Sequence, residues 1–171
     1  MSAGCDVRFD TTGVVKLVKM LDKAGKSPQK AITRAASKGI TPVKRAVRGI
    51  VPVGETGNLK RAIARKAEKS RARGKKVYEV TFDKAYNDVL QKPVKNPGEA
   101  GSTTTKSGHA YYPASIEYGF LTRSKGNGYS YVPGVHFMRQ GAEQSETQAK
   151  QIMIDTMEKE LDKLWQQAQH A

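Results

Sequence analysis

Cysteine, aromatic residues and long apolar runs are scarce throughout this chain, and acidic residues are scarce in its first half. The 171 residues hold one cysteine, Cys5, which excludes an intrachain disulfide framework and a zinc site built from cysteines. Apolar residues make up 37% and aromatic residues 7%. That share is low for a compact globule, so part of the surface is expected to be solvated or to complete its burial against partner subunits. No apolar run approaches the roughly 20 residues of a membrane span, and residues 1–6 lack the apolar core of a signal peptide. Intracellular synthesis and no membrane partner are the expectation. The histidines are His109, His136 and His170, and no pair has the HExxH spacing of a helical metal site. There is no G-x-S-x-G elbow for a nucleophile. Gly54-Glu55-Thr56-Gly57 is too short for a phosphate loop and lacks its G-K-[ST] ending. Glu117, the one acid in an aromatic setting, reads as a structural carboxylate accepting backbone or arginine hydrogen bonds, in preference to a general acid. The chain is therefore expected not to be an enzyme and to need no cofactor or metal.

What the chain does have is base. Residues 1–76 carry 20 basic and 5 acidic residues, a net of +15. Residues 77–171 carry 10 and 11, a net of −1, so the whole excess lies in the first half. The densest run holds Lys60, Arg61, Arg65, Lys66, Lys69, Arg71, Arg73, Lys75 and Lys76 against Glu68, a net of +8 over residues 60–76. Phosphate contacts by such a run would make binding steeply salt-dependent. No aromatic residue interleaves the charges, which argues against single-strand stacking. No zinc-finger or RRM signature accompanies them, so sequence-specific readout is not expected. One reading is a non-sequence-specific nucleic-acid-binding module using the basic N-terminal half. The other is a solvated face or a pairing with an acidic protein.

Periodicity sets out the elements. Val14, Leu17, Val18 and Leu21 mark a short helix after an N-terminal tail over 1–10. Ser27 as cap and Pro28 at the first position open a second helix to about residue 48. Its buried stripe is small, Ala31, Ile32, Ala35, Ala36, Ile40, Val43 and Val47, so a neighbour can approach closely. Pro42 is expected to kink this helix or divide it near Gly39-Ile40. After a break, Thr56 or Asn58 caps a short helix through Leu59, Ala62 and Ile63. Residues 77–82 read as a strand with Tyr78, Val80 and Phe82 on one face. Segment 64–70 is its candidate antiparallel partner, and another strand or a short helix is expected around Val89-Leu90. Residues 96–110 hold no large apolar side chain and read as a long loop, with a second loop at 119–130. The longest helix begins near His136 and reaches about Gln167. The expected fold is a single α+β domain: helical over 11–50, sheet with loops over 51–135, and a C-terminal helix over 136–168. A small, mostly antiparallel sheet is packed by a kinked N-terminal helix and the long C-terminal helix.

Three phrases in order go further. The first is Pro52-Val53-Gly54-Glu55-Thr56-Gly57-Asn58-Leu59-Lys60-Arg61-Ala62-Ile63, after an Ala-rich basic helix. The second is Tyr111-Tyr112-Pro113-Ala114-Ser115-Ile116-Glu117-Tyr118-Gly119. The third is Pro133-Gly134-Val135-His136-Phe137-Met138-Arg139-Gln140-Gly141-Ala142. Their order resembles the tail-completion (neck, or head–tail joining) proteins of long-tailed bacteriophages. The pattern there is P-V-x-T-G-x-L-R-x-S-I, then Y-A-x-x-x-E-x-G, then P-x-x-F-L-R-P-A. This chain departs from it by one extra residue between Val53 and Thr56, by Ala62 for Ser, by Met138 for Leu and by Gln140-Gly141 after Arg139. The resemblance covers about residues 10–165 and implies a structural virion protein without enzymatic activity. It implies a homo-oligomeric ring, hexameric by family likeness, assembled in the host cytoplasm. Its partners would be head-completion or connector proteins on one side and tail-terminator or tail-tube proteins on the other, with passing DNA in the lumen. A tail-terminator role is a close relative. The matched positions are Thr56, Gly57, Leu59, Glu117, Gly119, Phe137 and Arg139. Arg139 is expected to pair with Glu117, and the loops at 96–110 and 119–130 to contact neighbouring rings.

Overall fold

The computed structural model describes residues 28–69, 74–93, 109–123 and 128–169. The N-terminal tail and first helix, Ser27, Arg71, Arg73, His170 and nearly all of the 96–110 loop lie outside the described residues. Helix α1 spans Gln29–Ile50 and α2 spans Asn58–Ala62. Strands β1 (Ile63–Ala67) and β2 (Tyr78–Phe82) follow, then a 3-10 turn at Lys84–Tyr86, α3 (Asn87–Leu90), β3 (Gln91–Pro93) and β4 (His109–Tyr111). The chain ends with α4 (Tyr112–Tyr118), β5 (Gly119–Arg123), β6 (Tyr129–Pro133) and the long α5 (Phe137–Gln169). The class is α+β, and every described ladder is antiparallel and two-stranded: β1 with β2, β3 with β4, β5 with β6. The expected partner of the 78–82 strand is present, with Arg65 opposite Val80 and Lys66 opposite Glu79.

Helices α1 and α5 form the frame. Residues at i, i+3, i+4 and i+7 of α1 (Ala31, Ile32, Ala35, Ala36, Gly39, Val43 and Val47) are buried. Glycines set how closely α5 approaches. A Cβ at Gly141 would lie 2.6 Å from a Val47 methyl and 2.7 Å from the Val47 backbone, and one at Gly39 would collide with the Met153 side chain. Small residues of α5 (Ala142, Ser145 and Ala149) are buried along the same seam. The bulky core gathers beside one end of the pair, where Val43, Val47, Leu59, Ile63, Val80, Leu90 and Phe137 form one cluster.

Two expectations about elements are corrected. The expected division near Gly39-Ile40 does not occur: helix α1 continues without interruption through Pro42. The proline removes the donor that would have met the Lys38 carbonyl, but the buried apolar stripe continues on either side of it, and packing on α5 carries the helix across. The segment 119–130 contains strand residues at both ends. Phe120 pairs with Val132, Leu121 with Tyr131 and Thr122 with Ser130, so this stretch is an antiparallel hairpin for all of its described residues but Gly128. The start signals also shift slightly. Pro28 is the cap residue of α1, not its first helical residue. Gly57, in the left-handed region at φ 60, is the cap of α2, and no side chain completes that cap.

Candidate functional site

The second and third phrases of the sequence meet at one point. Glu117 is 7% exposed in α4 and faces the start of α5. The Met138 N–H donates to its Oε2 at 2.9 Å, and the Arg139 N–H approaches its Oε1 at 3.4 Å. The first N–H groups of a helix have no partner within it, and its N-terminus carries a partial positive charge. A carboxylate from another element answers both needs. The expected Glu117–Arg139 side-chain pair is therefore corrected: Arg139 reaches Glu117 only through its backbone. Its guanidinium donates to Glu143 at 2.9 Å, one turn on, and that contact pushes its pKa up.

Backbone bonds tighten the same junction. The Val135 N–H donates to the Ile116 carbonyl at 2.8 Å, and the His136 N–H to the Glu117 carbonyl at 3.1 Å. The Tyr131 hydroxyl donates to the Tyr118 carbonyl at 2.7 Å. Gly119 stands at φ 85, and a Cβ there would lie 2.4 Å from the Val132 carbonyl oxygen. Only glycine fits both the dihedral and the space. Phe137, completely buried, closes the junction from the core side and meets Phe82 of β2 edge-to-face at 6.3 Å. Glu117, Gly119 and Phe137 are thus brought together. Leu59 is buried in the main core with Ala62. Thr56 is exposed, its hydroxyl 3.4 Å from the Asn58 N–H, and it belongs to the turn before α2.

The basic run does not form one face. Arg65 leaves β1 toward α1, donating to the Ser37 carbonyl at 3.0 Å and the Ser37 hydroxyl at 3.1 Å. Lys66, next along the strand, points to the opposite side of the ladder and lies 4.0 Å from Glu79. Lys76 donates to the Glu68 carbonyl at 3.2 Å and lies over the Tyr78 ring. Lys75 is exposed, and its carbonyl accepts from Gln29 at 3.3 Å, while the Gly74 N–H donates to the same side chain at 2.8 Å. Arg61 and Lys69 are exposed and Lys60 is half-buried.

Two surfaces stand out that the run at 60–76 did not announce. One is aromatic: Tyr118, Phe120, Leu121, Tyr129 and Tyr131 are all exposed around the β5–β6 hairpin, Tyr131 at 60%. The other is the solvent side of α1. Its cations Lys30, Arg34, Lys38, Lys44, Arg45 and Arg48 recur at spacings of 4, 4, 6, 1 and 3 residues, and α1 contains no acidic residue. The helical period alone could have shown this stripe. Among the described residues no group of three or more His, Cys, Asp and Glu is placed to hold a metal, and no helix is long and apolar enough to cross a membrane. No family model, curated protein or solved structure matches the chain.

Proposed function

We propose that the chain is a structural protein of the neck of a long-tailed bacteriophage virion, a ring subunit that completes the tail and joins it to the head connector. The ordered phrases suggest the family, and the observation that carries the reading furthest is the exposed aromatic hairpin. A two-stranded ladder is marginal alone in water. This one leaves Phe120, Leu121 and Tyr129 in solvent, yet its root is fixed by Gly119, Tyr131 and the Glu117 contacts. A rigidly rooted apolar projection suits a contact with another subunit. A heterologous contact of that kind, repeated by rotation, closes a ring. The role needs no catalysis and no cofactor.

The test is assembly. Purified protein is expected to sediment as a closed oligomer and to appear as rings by negative-stain electron microscopy. The triple variant Phe120→Ser, Leu121→Ser, Tyr129→Ser should keep the wild-type circular dichroism spectrum and sediment as a monomer. Phage carrying it should accumulate separate heads and tails. A triple variant that assembles and joins heads to tails normally would overturn the proposal.

A further inference from the structure

The cation stripe on α1 has a chemistry of its own. At about 100° per residue, its six cations fall within an arc of roughly 120° and extend over about 27 Å of helix axis. The opposite arc is the buried seam with α5. Among the described residues, only Arg34 of the six is in an ion pair, with Glu160. The Arg48 Nε is buried without a hydrogen-bond partner. Midway along the stripe, Lys38, Thr41, Pro42 and Arg45 of α1 line a shallow hollow of about 220 Å³ with Gln148 and Ile152 of α5. Arg65 joins the edge of the stripe at Ser37.

Three features decide the class of partner. The residues between the cations on this arc are Ser37 and Thr41, so the stripe lacks the apolar centre of a protein–protein interface. Helix α1 contains no aromatic residue, so bases have no stacking platform and single strands gain nothing here. The cations are carried on one uninterrupted helix and recur at intervals of about 1.5–9 Å along its axis, which suits a row of phosphates.

We propose that the solvent face of α1 is a seat for the phosphate backbone of a nucleic-acid duplex, with one phosphate held at the Lys38–Thr41–Arg45 hollow. The seat is independent of ring formation and goes beyond the neck role. It also differs from the run at 60–76, whose Lys66 and Arg65 point to opposite sides of the ladder.

Fluorescence anisotropy with the full chain and a mixed-sequence 30-base-pair DNA duplex tests it, at about 50–300 mM salt. About five phosphate contacts give a slope of log K against log salt of about −4.5. Lys38→Glu with Arg45→Glu is expected to weaken binding at least tenfold and to flatten the slope by about 2. Lys38→Gln with Arg45→Gln should lose less affinity but flatten the slope alike. Lys66→Glu with Lys69→Glu, the same change in net charge, should leave the affinity within threefold. A duplex of RNA bound as well as DNA supports the seat, since the contacts are to phosphates. The idea is overturned if wild type fails to bind at the lowest salt, if a single strand of equal length binds as tightly, or if the Lys66/Lys69 variant loses as much as the Lys38/Arg45 variant. Sedimentation of the same samples separates these outcomes from failure to form a ring.

Discussion

Glu117 shows what a single residue does here. Its place among aromatics was legible in the sequence, and so was the structural reading of its carboxylate. Its donors were not, because a backbone N–H leaves no mark in a sequence, whereas Arg139 offers a conspicuous positive charge. The guanidinium is better served by Glu143 at i+4, a helical pair that needs no tertiary contact. The two assignments separate by experiment. Glu117→Ala strips acceptors from a buried helix terminus and is expected to cost about 1–3 kcal/mol in urea denaturation. Arg139→Ala, on the surface, should leave the urea midpoint close to that of wild type. Exchanging the two residues should be no more stable than Glu117→Arg alone. A swap that rescues would restore the side-chain pair.

At the scale of elements, the helices were the readable part. The small stripe of α1 and the start of α5 followed from a period that burial imposes on both. The β5–β6 hairpin was missed because neither of its faces is well buried, so no alternation of apolar and polar residues marks it. The glycines at 126 and 128 in the sequence then favoured a loop reading. The β1–β2 ladder was visible for the opposite reason: Val80 is buried against the core between Tyr78 and Phe82. Glycine substitutions measure how the helices meet. Gly141→Ala pushes a methyl into Val47 and is expected to destabilise by about 1–3 kcal/mol. Gly49→Ala meets nothing within 4 Å and should stabilise by about 0.5–1 kcal/mol, through the lower helical cost of alanine. Thermal melts of the two variants should therefore move in opposite directions.

The whole molecule carries 30 basic side chains that 16 carboxylates only partly offset, leaving a net charge of +14. One of them, Glu160, ties the two frame helices: Arg34 donates to it across the seam, and Lys163 adds a second bond at 3.3 Å. The Arg34 hydrogen bond holds the Glu160 carboxyl below its ordinary value of 4.5. A folded pKa below the unfolded one means stability that is present above about pH 4.5 and lost as the pH falls through the folded value. Glu160→Gln should accordingly melt below wild type at pH 7, and the gap should close at acid pH. High salt should narrow the gap at pH 7, since the pair is exposed on the Arg34 side. A gap that is the same at both pH values would mean that the glutamate acts through shape alone. The lopsided charge was readable from the first count of residues, and the row on α1 from its helical period, but the two-sidedness of the run at 60–76 was not. Folding turns the densest run into a two-sided ladder and leaves the orderly row on a helix whose cations are more widely spaced.

The seam between α1 and α5 also sets a clock. Helix α1 ends at Ile50 and its partner at Gln169, so 119 residues must leave the ribosome before the seam can close completely. At ordinary synthesis rates that is a delay of roughly 6–24 s. Joining segments so distant in sequence is also slow for a finished chain, because the intervening loop must be closed first. During that interval the nascent helix shows its apolar side uncovered, and chaperone capture of ribosome-bound chains should end once the last turns of α5 emerge.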